Sequence, residues 1–292
     1  MISDERVTAL LVETLGAPVE LERRTPLGGG DISDAERLDT DRGPFFMKSS
    51  GDPAVRFEVE QLTLEALATG ATALEVGQVL ASRDPTPHER GYLLCAFVER
   101  GMRGADFEEA LGRGLAELHR STAERFGFDR DTFCGPTRQR NPWTEDWVSF
   151  YREHRLGWQA RLLRDAGKLD AAESKIFDRL LGRLDQLLDV SQPPSLIHGD
   201  LWSGNVLVGK SGGPVLIDPA VYYAHREAEL GMMTLFGGFS DRMYSAYHEA
   251  WPLPDGWRQR NPLYQLWHVA NHATIFGGSY VDQTISLVRR FA

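Results

Sequence analysis

The chain has 292 residues, 42% of them hydrophobic and 25% charged, the composition of an ordinary globular protein large enough to bury its own core. Forty-two acids against 32 bases leave a formal charge of −10. Such a surface repels phosphate backbones, so neither nucleic acid nor an anionic membrane is an expected partner. The two cysteines, Cys95 and Cys134, exclude a disulfide framework and fit a reduced compartment. With no secretory pattern at the N-terminus and no run long enough to span a bilayer, the expected location is the cytoplasm.

The first third of the chain reads as strands around one helix. Ile2–Thr14 has amphipathic spacing and ends at Gly16 and Pro18, which predicts a helix. Val19–Arg24, Ile32–Asp39 and Phe45–Lys48 are short apolar runs separated by turn residues, the pattern of an antiparallel meander. Phe57–Thr69 predicts a helix, and Val76–Leu80 and Tyr92–Val98 predict two more strands. From about Arg100 the spacing turns helical. Phe107–His119, Trp147–Leu163, Ala171–Leu188, Arg226–Tyr247 and Asn261–Ile275 each predict a helix, and Val206–Val208 with Val215–Ile217 predict a hairpin. The expected class is therefore α+β in two lobes. Residues 1–98 form a lobe with a five-stranded antiparallel sheet and one helix; residues 99–292 form a larger, mainly helical lobe, with a ligand site at the junction.

The densest chemical signal runs from His198 to Asp218. It contains H-x-D-x-x-x-x-N, with Asn205 five residues after Asp200, then the hairpin, then Asp218. A carboxylate at Asp200 can take a proton from an attacking hydroxyl. The Asn205 amide oxygen and the Asp218 carboxylate can share a divalent cation, which is what phosphoryl transfer asks of a protein. Only four lysines occur (Lys48, Lys168, Lys175, Lys210), so Lys48 at the end of an apolar strand invites a chemical role. A helix glutamate, Glu60 with Glu58 as its rival, would hold Lys48 against ATP phosphates. Gly28-Gly29-Gly30 lies between two strands, where backbone amides can approach phosphate. Cys95, Ala96 and Phe97 stand where a hinge would present backbone groups to adenine. Trp202, two residues from the expected base, is read as a wall of the substrate pocket, and Tyr222 as pocket or core. His198 is expected to hold the catalytic loop, and His225, Glu227 and Glu229 to anchor the segment after Asp218. No paired-cysteine or H-E-x-x-H motif points to structural zinc.

The segments His198–Asn205 and Asp218–Glu227, with Gly28–Ser33, Phe46-Met47-Lys48, Leu115–His119 and Asn141-Pro142-Trp143, resemble the fructosamine kinase (ketosamine-3-kinase) family. That family is a branch of the aminoglycoside-phosphotransferase and protein-kinase-like superfamily. The tryptophan in HGDLWSGN and the DPAVYY-HRE run set this family apart from generic aminoglycoside kinases. The resemblance implies a protein-kinase-like fold and an ATP-dependent kinase that phosphorylates the sugar 3-hydroxyl of ribulosamine or fructosamine adducts in deglycation repair. In the roles it implies, Asp200 is the base, Mg²⁺ is held by Asn205 and Asp218, and ATP is held by Gly28, Gly29, Gly30, Lys48, Glu60, Cys95, Ala96 and Phe97. His198, Trp202 and Tyr222 would bind substrate, and the chain would act as a monomer. A kinase for an aminoglycoside, a choline-like amine or another sugar is the alternative, and a catalytically inactive nucleotide-binding protein a third. Some members carry cysteine where Asp31 stands, and in them it can support redox-sensitive dimers; Asp31 removes that chemistry here.

Overall fold

Capping chemistry opens the fold, which the computed structural model describes for residues 2–28, 33–70, 73–188 and 191–292. Helix α1 (Asp4–Leu15) begins where the Ser3 hydroxyl accepts from the Arg6 N–H and ends at Gly16 in the left-handed conformation. Strands β1 (Leu21–Leu27), β2 (Asp34–Thr40) and β3 (Gly43–Ser50), helix α2 (Phe57–Gly70), and strands β4 (Glu75–Val76), β5 (Val79–Arg83) and β6 (Gly91–Ala96) follow. The sheet order is β1-β2-β3-β6-β5, antiparallel throughout, which is the expected five-stranded sheet. One boundary is corrected. The run Val76–Leu80 is not one strand, because it breaks at Gly77-Gln78. Val76 instead pairs in parallel with Leu216, and the Gly77 N–H donates to Leu216 O at 2.9 Å. That short parallel pair ties the N-terminal sheet lobe to the hairpin beside Asp218.

Each face of the sheet has its own cover. Leu10 and Leu11 of α1 pack with Leu38, Met47 and Leu94 on one side, while Phe57 and Leu64 of α2 pack with Leu93 and Cys95 on the other. Each such side chain removed from water stabilises the fold by about 1.5–3 kcal/mol before chain entropy is counted.

The remainder is α3 (Phe107–His119), the hairpin β7 (Thr132–Cys134) and β8 (Thr137–Gln139), α4 (Trp147–Phe150), α5 (Gly157–Asp165), α6 (Ala171–Leu181) and α7 (Leu184–Leu187). Then come β9 (Ser195–Ile197), β10 (Val206–Val208), β11 (Pro214–Leu216), β12 (Tyr222–Ala224), α8 (Glu227–Leu235), α9 (Asp241–Ala250), α10 (Trp257–Phe276) and α11 (Ser279–Phe291). Three single-helix expectations divide. Trp147–Leu163 passes through a π-helical turn at Tyr151–Leu156. Ala171–Leu188 breaks at Gly182, and Arg226–Tyr247 breaks at Gly237 and Gly238, both of positive φ. The β7–β8 hairpin and the antiparallel pairing of β9 with β12 carried no sequence signal that was read. One core, including Leu115, Trp147, Phe150, Phe177, Leu230 and Tyr264, unites these elements. Among the described residues no helix is long and apolar enough to cross a membrane.

Candidate active site

Lys48 is the point where the two lobes meet chemically. Its ammonium lies 2.7 Å from Glu60 Oε1 and 2.6 Å from Asp218 Oδ1. Strand β3 and helix α2 supply the first pair and the segment after β11 supplies the third member. Burial alone would pull the lysine down, but Glu60 and Asp218 outweigh it and hold its charge well above the usual range. Glu58, the rival partner, faces solvent at the start of α2, so Glu60 is the helix acid on Lys48. The other lysines do ordinary work: Lys168 caps carbonyls of Ala273 and Thr274 on α10, Lys210 pairs with Glu99 at the surface, and Lys175 is exposed on α6.

The catalytic-loop candidate is built from backbone contacts. His198 is fully buried; its Nε2 donates to Ile217 O at 2.8 Å, and its Nδ1 accepts from the Asp200 N–H at 3.3 Å. Asn205 Nδ2 donates to Asp200 O at 2.8 Å, which leaves the amide oxygen as its remaining donor atom for a cation. Glu229 on α8, also fully buried, accepts from the His198 N–H at 2.5 Å and the Gly199 N–H at 3.1 Å. Sequence reasoning placed Glu229 as an anchor beyond Asp218, but it is the anchor of the loop that begins at His198. Glu227 instead pairs with Arg260 at 2.6 Å.

Gly199 has a φ of 82°, and a Cβ there would stand 2.3 Å from Ala220 O. Gly199→Ala is therefore expected to cost about 2 kcal/mol or more, from backbone strain and from the forced separation of the loop from Ala220; a thermal melt measures it. A second glycine is fixed by an aromatic ring. A Cβ on Gly204 would lie 2.2 Å from the Trp202 indole, so that ring folds back across its own loop with 42% of its surface exposed. Asp218 is the one non-glycine residue of positive φ among those described, at 54°. Backbone in that sparsely used region turns its carboxylate toward Lys48.

Asp200 sits below this arrangement. Burial first, then the charges of Glu229 and Asp218, raise its carboxyl from 3.8 to about 7, the range useful to a general base near neutrality. Arg155, delivered by the π-helical turn, is buried with its guanidinium 3.8 Å from the centre of the Tyr222 ring and Nη2 2.6 Å from Asn141 Oδ1, and its charge acts on Cys134. Neither Arg155 nor Cys134, whose thiol interacts with Asp200, was anticipated. A π-turn that places a buried arginine carries no recognisable sequence pattern.

Two expected substrate contacts are corrected. His198 has both ring nitrogens engaged by backbone, and Tyr222 is buried against Phe150 under Arg155, so neither presents surface to a ligand. Trp202 does. In the expected hinge, Cys95 is buried, and burial pushes its thiol up to about 12; the Ala96 N–H is taken by Gln78 O at 2.9 Å. The Arg37 guanidinium lies 4.6 Å from the centre of the Phe97 ring. Gly28 follows the last residue of the first strand, whereas Gly29, Gly30 and Asp31 lie outside the described residues.

The geometry joins a cation held by two acids, a base candidate of raised pKa, and an amide and a carboxylate as hard oxygen donors. Comparison with known proteins gives the frame for it. A chloroplastic protein-ribulosamine 3-kinase of Arabidopsis thaliana is 37% identical over 287 residues, covering 94% of this chain and 84% of the relative. A Synechocystis protein named as a ketoamine kinase is 35% identical, covering 98% and 96%. A crystal structure assigned as a fructosamine-3-kinase from Thermobifida fusca superposes with a TM-score of 0.87 at 33% identity, over 98% of both chains. An aminoglycoside phosphotransferase in complex with ADP and hygromycin B shares the fold alone, with a TM-score of 0.62 at 16% identity over 98% of both chains. The sequence pattern described as fructosamine kinase spans residues 3–292, and the chain belongs to that family.

Proposed function

We propose that this protein transfers the terminal phosphoryl group of ATP to the sugar 3-hydroxyl of a ketosamine, a ribulosamine or fructosamine adduct, as a step in deglycation. The reading is carried by one observation: in a chain of this family, Lys48 lies between Glu60 and Asp218, while Asp200 and Asn205 share one loop and the Asp200 carboxyl feels the charge of Asp218. Asp200 takes the proton of the attacking hydroxyl as its oxygen bonds to the γ-phosphorus and ADP departs. Lys48 neutralises the α- and β-phosphates and keeps them in line. The donor set of Asn205 and Asp218 fits Mg²⁺, which prefers oxygen ligands and would neutralise charge on the transferring group. Gly28 with its neighbours would cover the phosphates, and the backbone of Cys95–Phe97 would meet adenine, with the lobe boundary after Val98. Trp202 offers a face to the acceptor. The protein is taken to act as a monomer in the cytoplasm, which its free cysteines suit.

The test is ADP release from Mg-ATP with ribuloselysine, fructoselysine, a glycated protein, kanamycin and choline, with Asp200→Asn as control. Turnover is expected on a ketosamine and lost in the variant. Turnover on kanamycin or choline alone would replace the acceptor while keeping the kinase.

A further inference from the structure

Cys134, Asp200 and His268 converge: one ligand atom of each (thiol sulfur, carboxylate oxygen, imidazole nitrogen) lies within 4.8 Å of the other two. Three separate elements deliver them. Cys134 ends β7, Asp200 lies in the loop after β9, and His268 is on α10. The convergence is braced from two sides. Asn271, three residues beyond His268 on the same helix, donates from Nδ2 to Cys134 O at 3.3 Å. Gln139 on β8 donates to Ala220 O at 3.3 Å, which fixes the hairpin to the segment that packs on the catalytic loop.

The second observation concerns His268. It is 4% exposed, and its buried Nδ1 has no hydrogen-bond partner. An imidazole so deep in protein is neutral, and neutral imidazole is a metal ligand. A buried polar atom left without a partner needs a reason. The surrounding charge favours a cation, since Asp218 and Glu229 both act on Asp200, against Arg155, which acts on Cys134 and His268, and His272, which acts on His268. A sulfur, a nitrogen and an oxygen suit a soft or borderline ion of the zinc type, which takes three protein ligands and leaves a fourth position open. They do not suit Mg²⁺, which keeps to oxygen.

We propose that Cys134, Asp200 and His268 form a capture site for a zinc-type divalent cation, and that filling it withdraws Asp200 from proton transfer and stops the enzyme. On binding, the proton of the Cys134 thiol and any proton on Asp200 are released to solvent, so the sulfur binds as thiolate and the carboxylate as anion. The inhibitory consequence rests on the function proposed above, whereas the capture itself does not.

Cd²⁺ serves as the spectroscopic probe and Zn²⁺ as the inhibitor, both on the full chain. Titration with Cd²⁺ in the absence of nucleotide should raise the ultraviolet cadmium–thiolate charge-transfer band to an end point of one ion per chain. The band should persist in Cys95→Ala and vanish in Cys134→Ser. In His268→Gln the affinity should fall by about tenfold or more. Phosphorylation by the wild type should fall with added Zn²⁺ and return on chelation, and Cys134→Ser should need at least about tenfold more Zn²⁺ relative to its own metal-free rate. If Cys134→Ser does not fold, His268→Gln carries the same comparison. No thiolate band at excess Cd²⁺, or a band that depends on Cys95, would overturn the site. Zn²⁺ inhibition unchanged in Cys134→Ser and His268→Gln would overturn the inhibition, because the ion would then act at Asn205 and Asp218. A band without any phosphorylation to inhibit would keep the site and count against the kinase reading alone.

Discussion

Asp200→Asn is expected to lower kcat on the ketosamine substrate by about a thousandfold, the span a positioned general base commonly supplies, and to make the protein more stable. The two effects have one cause. Burial and the charges of Glu229 and Asp218 raise the carboxyl to about 7, so the ionised form that catalysis needs is the form the fold disfavours. A group that holds its proton more tightly in the folded chain than in the unfolded one makes folding take up a proton between 3.8 and about 7. Its contribution to stability is complete below 3.8 and is lost as pH rises toward about 7. Above about 7 the wild type therefore carries the full cost of an anion held in a poorly solvated, like-charged setting, and the neutral amide removes it. The variant should melt about 2 °C or more above the wild type at pH 8, with the difference shrinking toward pH 4. The wild-type rate should fall as pH drops through about 7, where the base gains its proton. A variant that is inactive but not stabilised at pH 8 would mean that Asp200 is not held as a disfavoured anion.

The fold was legible where local chemistry decides it. Ser3 and Gly16 bracket α1 within two residues of its expected ends, and Phe107–His119 came out with its limits intact. Those boundaries depend on caps and on one apolar face, both visible in a short window. The misplacements share a different cause. Val76 looks like the start of a longer strand, yet it pairs with Leu216, 140 positions away, and no window around Gly77 contains that partner. The same holds at the site. Asp200, Asn205 and Asp218 could be put forward as candidates because their spacing along one segment is itself the signal. Cys134 and His268 stand beside the same carboxylate from a hairpin and a distant helix, Arg155 acts on both of them from a π-helical turn, and only the tertiary fold brings them together. Glu229 lay between these cases: it was expected to anchor the segment after Asp218, and the structure gave it a different task.

That task makes Glu229 the position with the largest expected effect on stability. Its carboxylate is fully buried and accepts from two consecutive backbone N–H groups, those of His198 and Gly199. His119 Nε2 stands 3.8 Å away. Burial lowers the pKa of that imidazole despite the nearby acid, so the ring does not cancel the charge, and the backbone dipoles carry it instead. Glu229→Ala would leave both N–H groups buried without an acceptor and open a cavity under the loop. The expected loss is about 3 kcal/mol or more, read as a lowered midpoint in urea with the slope unchanged. Glu229→Gln separates geometry from charge. Its amide oxygen can still accept from the loop, so the fold should survive with a smaller loss. The anion that helps to raise Asp200 is gone, however, and of the two charges acting on that carboxyl Glu229 is the larger. The acid limb of the pH–rate profile should therefore move to lower pH in Glu229→Gln, and kcat should fall with it, because a weaker base drives proton transfer less. A profile that stays in place while the protein is merely less stable would make Glu229 a support for the loop and nothing more. A shift of the profile would show that one buried carboxylate both holds the catalytic loop and sets the basicity of the group it carries.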